Sequence, residues 1–87
     1  MTGPCELCGR WCALERHHVY GAANRSRSEH YGYVVNLCHW CHNEKGGVHQ
    51  DAAKMLALHK RFQRVFELTH TREQFMQEFG RSYILDD

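Results

Sequence analysis

Two CxxC pairs, Cys5-Glu6-Leu7-Cys8 and Cys38-His39-Trp40-Cys41, lie 29 residues apart in a chain of 87. No other feature limits the fold as strongly. Four thiolates in two such turns describe a closed tetrahedral zinc site, which has no open position and so is structural rather than catalytic. The N-terminus must then meet the segment around residue 40. Gly9, directly after the first pair, permits the tight turn in which backbone amides face the sulfurs. A chain this short buries a small core and often needs a staple of this kind. Cys12 falls outside the pair spacing. It is expected to be a spare, partly buried thiol, the alternative being that it replaces one of the paired cysteines as a ligand. Five cysteines fit poorly with a closed disulfide framework, and the stretch MTGPCELCGR has no apolar signal-peptide core. The expectation is therefore a cytoplasmic protein with thiolate, metal-binding cysteines.

The length argues for one domain spanning residues 1–87. With 43% hydrophobic and 24% charged residues the chain reads as globular, and no apolar run is long enough for a transmembrane helix. The net charge of +1 excludes a strongly basic nucleic-acid binder, so any field for DNA must be local. Eight histidines are the more informative excess.

Taken in order, residues 13–20 read as a strand, 21–31 as a polar loop or short irregular helix, and 32–37 as the best strand in the chain. The two strands are expected to pair as an antiparallel hairpin. Residues 38–45 form a short helix ended by Gly46-Gly47. Asp51 caps a helix over roughly 52–68, with Met55, Leu58, Phe62, Val65 and Phe66 on its apolar face. Thr71 and Gln74 make a capping box for a last helix over roughly 72–79, with Phe75, Met76 and Phe79 buried and Gly80 as the stop. The fold class expected is α+β: a zinc-stapled hairpin and helix with two C-terminal helices.

The zinc site uses no histidine. His17, His18, His42 and His49 are left over, and the knuckle at Cys41 holds His42 beside the hairpin, so the cluster can hold a second, open metal ion. His30, His39, His59 and His70 read as surface or packing residues.

The pattern His17-His18, Asn36, Cys38-x2-Cys41-His42 and His49, on two paired strands and a helix, resembles the HNH endonucleases, also called His-Me finger or ββα-metal nucleases. The resemblance covers residues 5–49. The ending FGRSYI after an FMQEF helix is similar to small HNH proteins encoded by phages and prophages, some of them tied to recombination, which would place the protein in a bacterial host cell. It implies a treble-clef-like ββα-metal core and a metal-dependent DNA endonuclease leaving 5′-phosphate and 3′-hydroxyl ends. In that family's terms His17 and His42 are ligands of the catalytic metal, His18 is the general base, and Asn36 ties the hairpin loop and orients that base. His49 is a third ligand or a phosphate contact; it lies beyond Gly46-Gly47, and Asn43 competes for the role. Adjacent residues on an ideal strand face opposite ways. His17 and His18 therefore share a site only if the strand bends or DNA fits between base and metal. The implied cofactors are a structural Zn2+ and a divalent catalytic ion: Mg2+, Mn2+, Ni2+ or Zn2+. Histidine ligands suit the last three better.

For DNA, Arg25 and Arg27 in Asn24-Arg25-Ser26-Arg27 suit phosphate contacts near the histidines. Lys45 lies beside the metal helix. Lys54, Lys60, Arg61 and Arg64 precede any acid in the long helix and are expected to form a local basic face along duplex or branched DNA. Nothing reads bases, so sequence preference is expected to be weak or supplied by a protein partner. The rival class is a non-catalytic zinc module binding DNA or protein, which accounts for the four cysteines but not for the histidines and Asn36 together.

Overall fold

The computed structural model describes residues 1–85. It contains two antiparallel strand pairs and four helices. The first pair joins β1 (Thr2–Pro4) to β2 (Trp11–Ala13). Reading residues 1–12 as a knuckle alone missed this hairpin. Its strands are three residues each, and β1 contains glycine and proline, so no apolar alternation betrays the pair. The knuckle is the hairpin's own turn. The Cys5 amide donates to Arg10 O at 2.8 Å, Gly9 N donates to Cys5 O at 2.9 Å, and Gly9 sits at φ 78°.

The second pair joins β3 (Glu15–His18) to β4 (Val34–Leu37), with Glu15 opposite Leu37, Arg16 opposite Asn36, His17 opposite Val35 and His18 opposite Val34. Both strands are shorter than the ranges 13–20 and 32–37. Between them a 3-10 turn (Ala22–Asn24) leads into α1 (Arg25–Tyr31), which stops at Gly32 with φ 74°. The segment is thus a helix more than a loop. Ser28 anchors it: its buried hydroxyl donates to Tyr33 O at 2.7 Å and accepts from Tyr20 N at 3.1 Å.

Helix α2 covers only His39–His42, half the length expected. Cys38 caps it through its sulfur, which accepts from Cys41 N, and the chain turns away through residues 43–47. Helix α3 (Ala52–Phe66) starts at Asp51, whose carboxylate accepts from Ala53 N and Lys54 N. Helix α4 (Arg72–Phe79) opens with the Thr71–Gln74 capping box and ends at Gly80. No helix among the described residues is long and apolar enough to cross a membrane.

The core centres on Tyr20. Its ring meets Tyr33, Phe75, Phe79, Tyr83 and His59, and its hydroxyl donates to His59 O at 2.6 Å. Through it the C-terminal helices lie over the β3–β4 pair. Two residues of the expected apolar stripes face water instead: Val65 and Met76 are each 45% exposed. On α4 the buried row is Phe75 and Phe79, one turn apart, and Met76 points about 100° away. On α3 the buried arc is shifted toward His59 and fully buried Gln63, leaving Val65 at its margin. Gln63 donates to Ser82 Oγ at 2.9 Å and accepts from Tyr83 N at 2.8 Å, which fastens the C-terminal segment to α3.

Of the remaining histidines, His70 stacks on Phe66, His30 meets Tyr31 edge-on, and exposed His39 bridges Glu15 and Glu44. His59 is a packing residue with a consequence for stability. It stacks on Tyr20 and its Nε2 donates to Val19 O at 2.8 Å. Burial holds its pKa below the usual 6.5. The unfolded chain therefore binds a proton that the folded one resists. The stability from neutral His59 is complete above pH 6.5 and is lost as the pH falls below it. The stability gap between wild type and His59→Gln in urea unfolding should narrow steadily from pH 7 to pH 5. A constant gap would mean that His59 does not titrate differently in the two states.

Candidate metal centres and the surrounding groove

Cys5, Cys8, Cys38 and Cys41 converge, with their sulfurs within 4.8 Å of one another. Cys8 Sγ and Cys38 Sγ are 3.7 Å apart. A zinc–sulfur bond of about 2.3 Å gives a tetrahedral edge of about 3.8 Å, so the donor set fits zinc. The thiols alone are in conflict. Burial raises Cys5, but amides of Cys38, Cys8 and Leu7 outweigh it and bring the thiol down to about 6. Burial and the neighbouring sulfurs push Cys41 up to about 12. A divalent cation removes that conflict by holding all four as thiolates. Cys12 stands outside the cluster, half-buried on β2, with its thiol directed at Arg10 O.

A second cluster forms around His42, the residue after Cys41 on α2. The side-chain nitrogens of His17, His42 and His49 also lie within 4.8 Å of one another. His42 Nε2 and His49 Nε2 are 3.1 Å apart. The His17 ring lies 5.1 Å from His42 and 4.9 Å from His49, centroid to centroid. His17 is 3% exposed, and its Nε2 is buried without a hydrogen-bond partner. An orphaned buried nitrogen costs about 1–3 kcal/mol, and a cation would satisfy it. Burial, then the charges of His49 and His42, lowers the His17 pKa to about 4, so the ring is neutral and its lone pair is available. Burial likewise lowers His49.

His49 reaches this cluster because the turn at Gly46-Gly47 folds the chain back along α2. Val48 N donates to Cys41 O at 2.7 Å and His49 N to His42 O at 3.1 Å. Asn43, the competing ligand, is spent elsewhere: its amide donates to Glu15 Oε1 at 2.9 Å. The close return requires glycine at 47, where a Cβ would lie 2.8 Å from Cys41 O and closer still to Trp40 O. Gly47→Ala should cost about 1–3 kcal/mol of stability and weaken divalent-ion binding at the histidines. Thermal melts and calorimetric metal titration would read both. Gly21→Ala is the control, since nothing lies within 4 Å of a Cβ there; equal effects of the two would remove the steric explanation.

Two acids that sequence reasoning missed buttress the site. Glu15 accepts from His42 Nδ1 at 2.8 Å and contacts His39 Nδ1 at 3.1 Å. These bonds, His42's first, hold its carboxyl below the usual range. A carboxylate only accepts, so His42 carries its proton on Nδ1 and turns Nε2 toward the cluster, as metal-bound imidazoles do. Glu29 on α1 takes Arg16 Nη2 and His18 Nε2, each at 2.7 Å. The only sequence signal for Glu15 is its place two residues before His17; Glu29 has none.

His17 and His18 do face opposite ways. His17 points to the imidazoles and His18 to α1, yet both line one groove with Arg16, Arg25, His42 and His49. The other edge of β3 has no strand partner among the described residues. Asn36 does not orient His18. It sits opposite Arg16 in the register, its side-chain oxygen is buried without a partner, and its backbone exchanges hydrogen bonds with Glu6 of the knuckle.

The cations divide. Arg25 lines the groove, whereas Arg27 pairs with Glu78 at 3.1 Å and Asn24 donates to Phe79 O, both tying α1 to α4. Lys54, Lys60, Arg61 and Arg64 fall within an arc of about 120° on the long helix but border two different clefts. Lys54 and Arg61 border a cleft beside the knuckle, with Lys54 donating to Gly46 O; Lys60 and Arg64 border another with Arg81. Their helical spacing sets the two pairs about 100° apart. Lys45 is exposed in the turn after α2.

Comparison with known protein families, characterised proteins and solved structures gives no match, so a reading of function rests on the geometry of these two clusters and the groove beside them.

Proposed function

We propose that the protein is a metal-dependent DNA endonuclease of the HNH kind. The observation that carries this reading is His17 Nε2, buried and unpartnered inside a three-imidazole cluster that opens on a groove. His17, His42 and His49 would hold one divalent ion, separate from the zinc at Cys5, Cys8, Cys38 and Cys41. Held there, such an ion would supply Lewis acidity to the scissile phosphate and to the leaving oxygen. His18, in the same groove, takes the proton of the attacking water. The water oxygen bonds to phosphorus, the bond from phosphorus to the 3′ oxygen breaks, and the leaving oxygen takes a proton from solvent. The products are a 5′-phosphate and a 3′-hydroxyl. Arg25, at the groove, is the phosphate contact best supported by position, and the groove gives a duplex or branched DNA a place to lie. The distribution of cations suits contacts to the backbone rather than to bases. A role in phage DNA processing or recombination fits that weak sequence preference.

Supercoiled plasmid incubated with the protein in EDTA, Mg2+, Mn2+ and Ni2+ tests the reading. Relaxation or linearisation is expected with at least one ion and none in EDTA. No cleavage with any ion, on plasmid or on branched DNA, would leave a non-catalytic zinc module.

A further inference from the structure

We propose that Glu29 is the positioning residue of His18: an Arg16-anchored carboxylate holds the ring with its proton on Nε2 and presents Nδ1 as the proton acceptor. The catalytic part of this proposal rests on the nuclease reading; the pairing itself does not.

Strand periodicity places Arg16 and His18 on one face of β3, and α1 lies across that face. Glu29 engages both at once, Oε1 with Arg16 Nη2 and Oε2 with His18 Nε2, each at 2.7 Å. The bond from Arg16, then that from His18, holds the Glu29 carboxyl below its usual range. An ionised carboxylate has no proton to donate, so the shared proton belongs to His18 Nε2. In a neutral imidazole the lone pair is then on Nδ1, which makes no hydrogen bond among the described residues.

This has a chemical consequence. When Nδ1 takes a proton from water, the water's O–H bond breaks and its electron pair goes to the attacking oxygen. The ring becomes an imidazolium while its Nε2 proton stays on the Glu29 hydrogen bond. The half-exposed carboxylate stabilises the new charge without itself being protonated, the role an aspartate plays toward a catalytic histidine in other hydrolases. Arg16 keeps the carboxylate in place, with its second oxygen occupied. Asn36 does none of this, since it pairs with Arg16 across the strands rather than with His18.

The test combines nitrogen NMR of the His18 ring at pH 8 with steady-state cleavage, on wild type, Glu29→Gln and Glu29→Ala. The ring should be an Nε2–H tautomer in wild type and a mixture in Glu29→Ala. Cleavage by Glu29→Ala should lose kcat by about 10–100-fold, as removal of a partner that orients an imidazole does, with KM unchanged. Glu29→Gln, whose amide oxygen still accepts from Nε2, should recover part of the loss. A wild-type ring carrying its proton on Nδ1, or on both nitrogens, overturns the proposal. So does a Glu29→Ala protein with unchanged tautomer and kcat. A tautomer that follows Glu29 in a protein that cuts nothing would sink the nuclease reading and leave the pairing standing.

Discussion

On the nuclease reading proposed above, His18→Ala should abolish plasmid cleavage, by about 10²–10⁴-fold if a general base is all that is lost, while leaving the fold and both proposed metal sites intact. The reason lies in the two faces of β3. His18 faces α1 and its ring nitrogens touch only half-exposed Glu29, so truncating it removes one hydrogen bond and the packing of a ring that is 14% exposed, and no ligand. It contributes no atom to the His17–His42–His49 cluster and none to the four sulfurs. His17→Ala is the contrasting variant. It removes the buried ring that packs on both His42 and His49 and should lose the second equivalent of metal while keeping the zinc. Metal analysis, thermal melting and cleavage on the two variants therefore separate a base from a ligand. A melting temperature strongly depressed in His18→Ala, or a lost second metal, would make His18 structural or a ligand. Retained cleavage would remove it from the chemistry.

How much of this was legible in the sequence follows from which interactions are local. The helix starts at Asp51 and at Thr71–Gln74 are written in adjacent residues, and both caps form as expected. The four-cysteine cluster was legible because two pairs at short spacing have few other uses, and the sulfurs do meet. The β3–β4 pair was legible from Val34 and Val35 in β4 and from Val19 and Tyr20 just past the end of β3, although the strand ends were not. The contacts that shape the groove are different in kind. Glu29 reaches His18 across eleven residues and Glu15 reaches His42 across 27, and an exposed glutamate announces nothing about what it faces. The resemblance placed Asn36 beside the base, but the register puts it opposite Arg16, with its backbone tied to the knuckle. The basic arc of α3 was legible, since its four cations fall within about 120° of one another, but its division between two clefts was not, because tertiary packing decides it.

Removing zinc should have the largest effect on the molecule, because almost nothing else holds the knuckles together. Helix α2 is four residues long, far below the length at which a helix persists without outside support. It is fixed at one end by Cys38 and within by Cys41. The β1–β2 hairpin has three residues per strand and reaches β4 through the exchange between Glu6 and Asn36. Structural zinc binding contributes about 10–16 kcal/mol in small zinc domains, as large as the whole stability of a typical domain. A strong zinc chelator at neutral pH, or Cys38→Ser, should therefore unfold the chain. The loss of circular dichroism should coincide with zinc release, and the histidine cluster should go with it, since His42 and His49 depend on α2 and the turn after it. A weak chelator should do something different. It should strip the ion proposed at the histidines, silence cleavage and leave the fold standing, because β3, α2 and the Tyr20 core do not depend on that ion for their connections. Two separable steps, activity first and structure second, are what a closed sulfur site and an open nitrogen site with separate ligands require. A chain that keeps its dichroism with no zinc bound would show that the Tyr20 core alone supports the hairpin, and that the four sulfurs are not its staple.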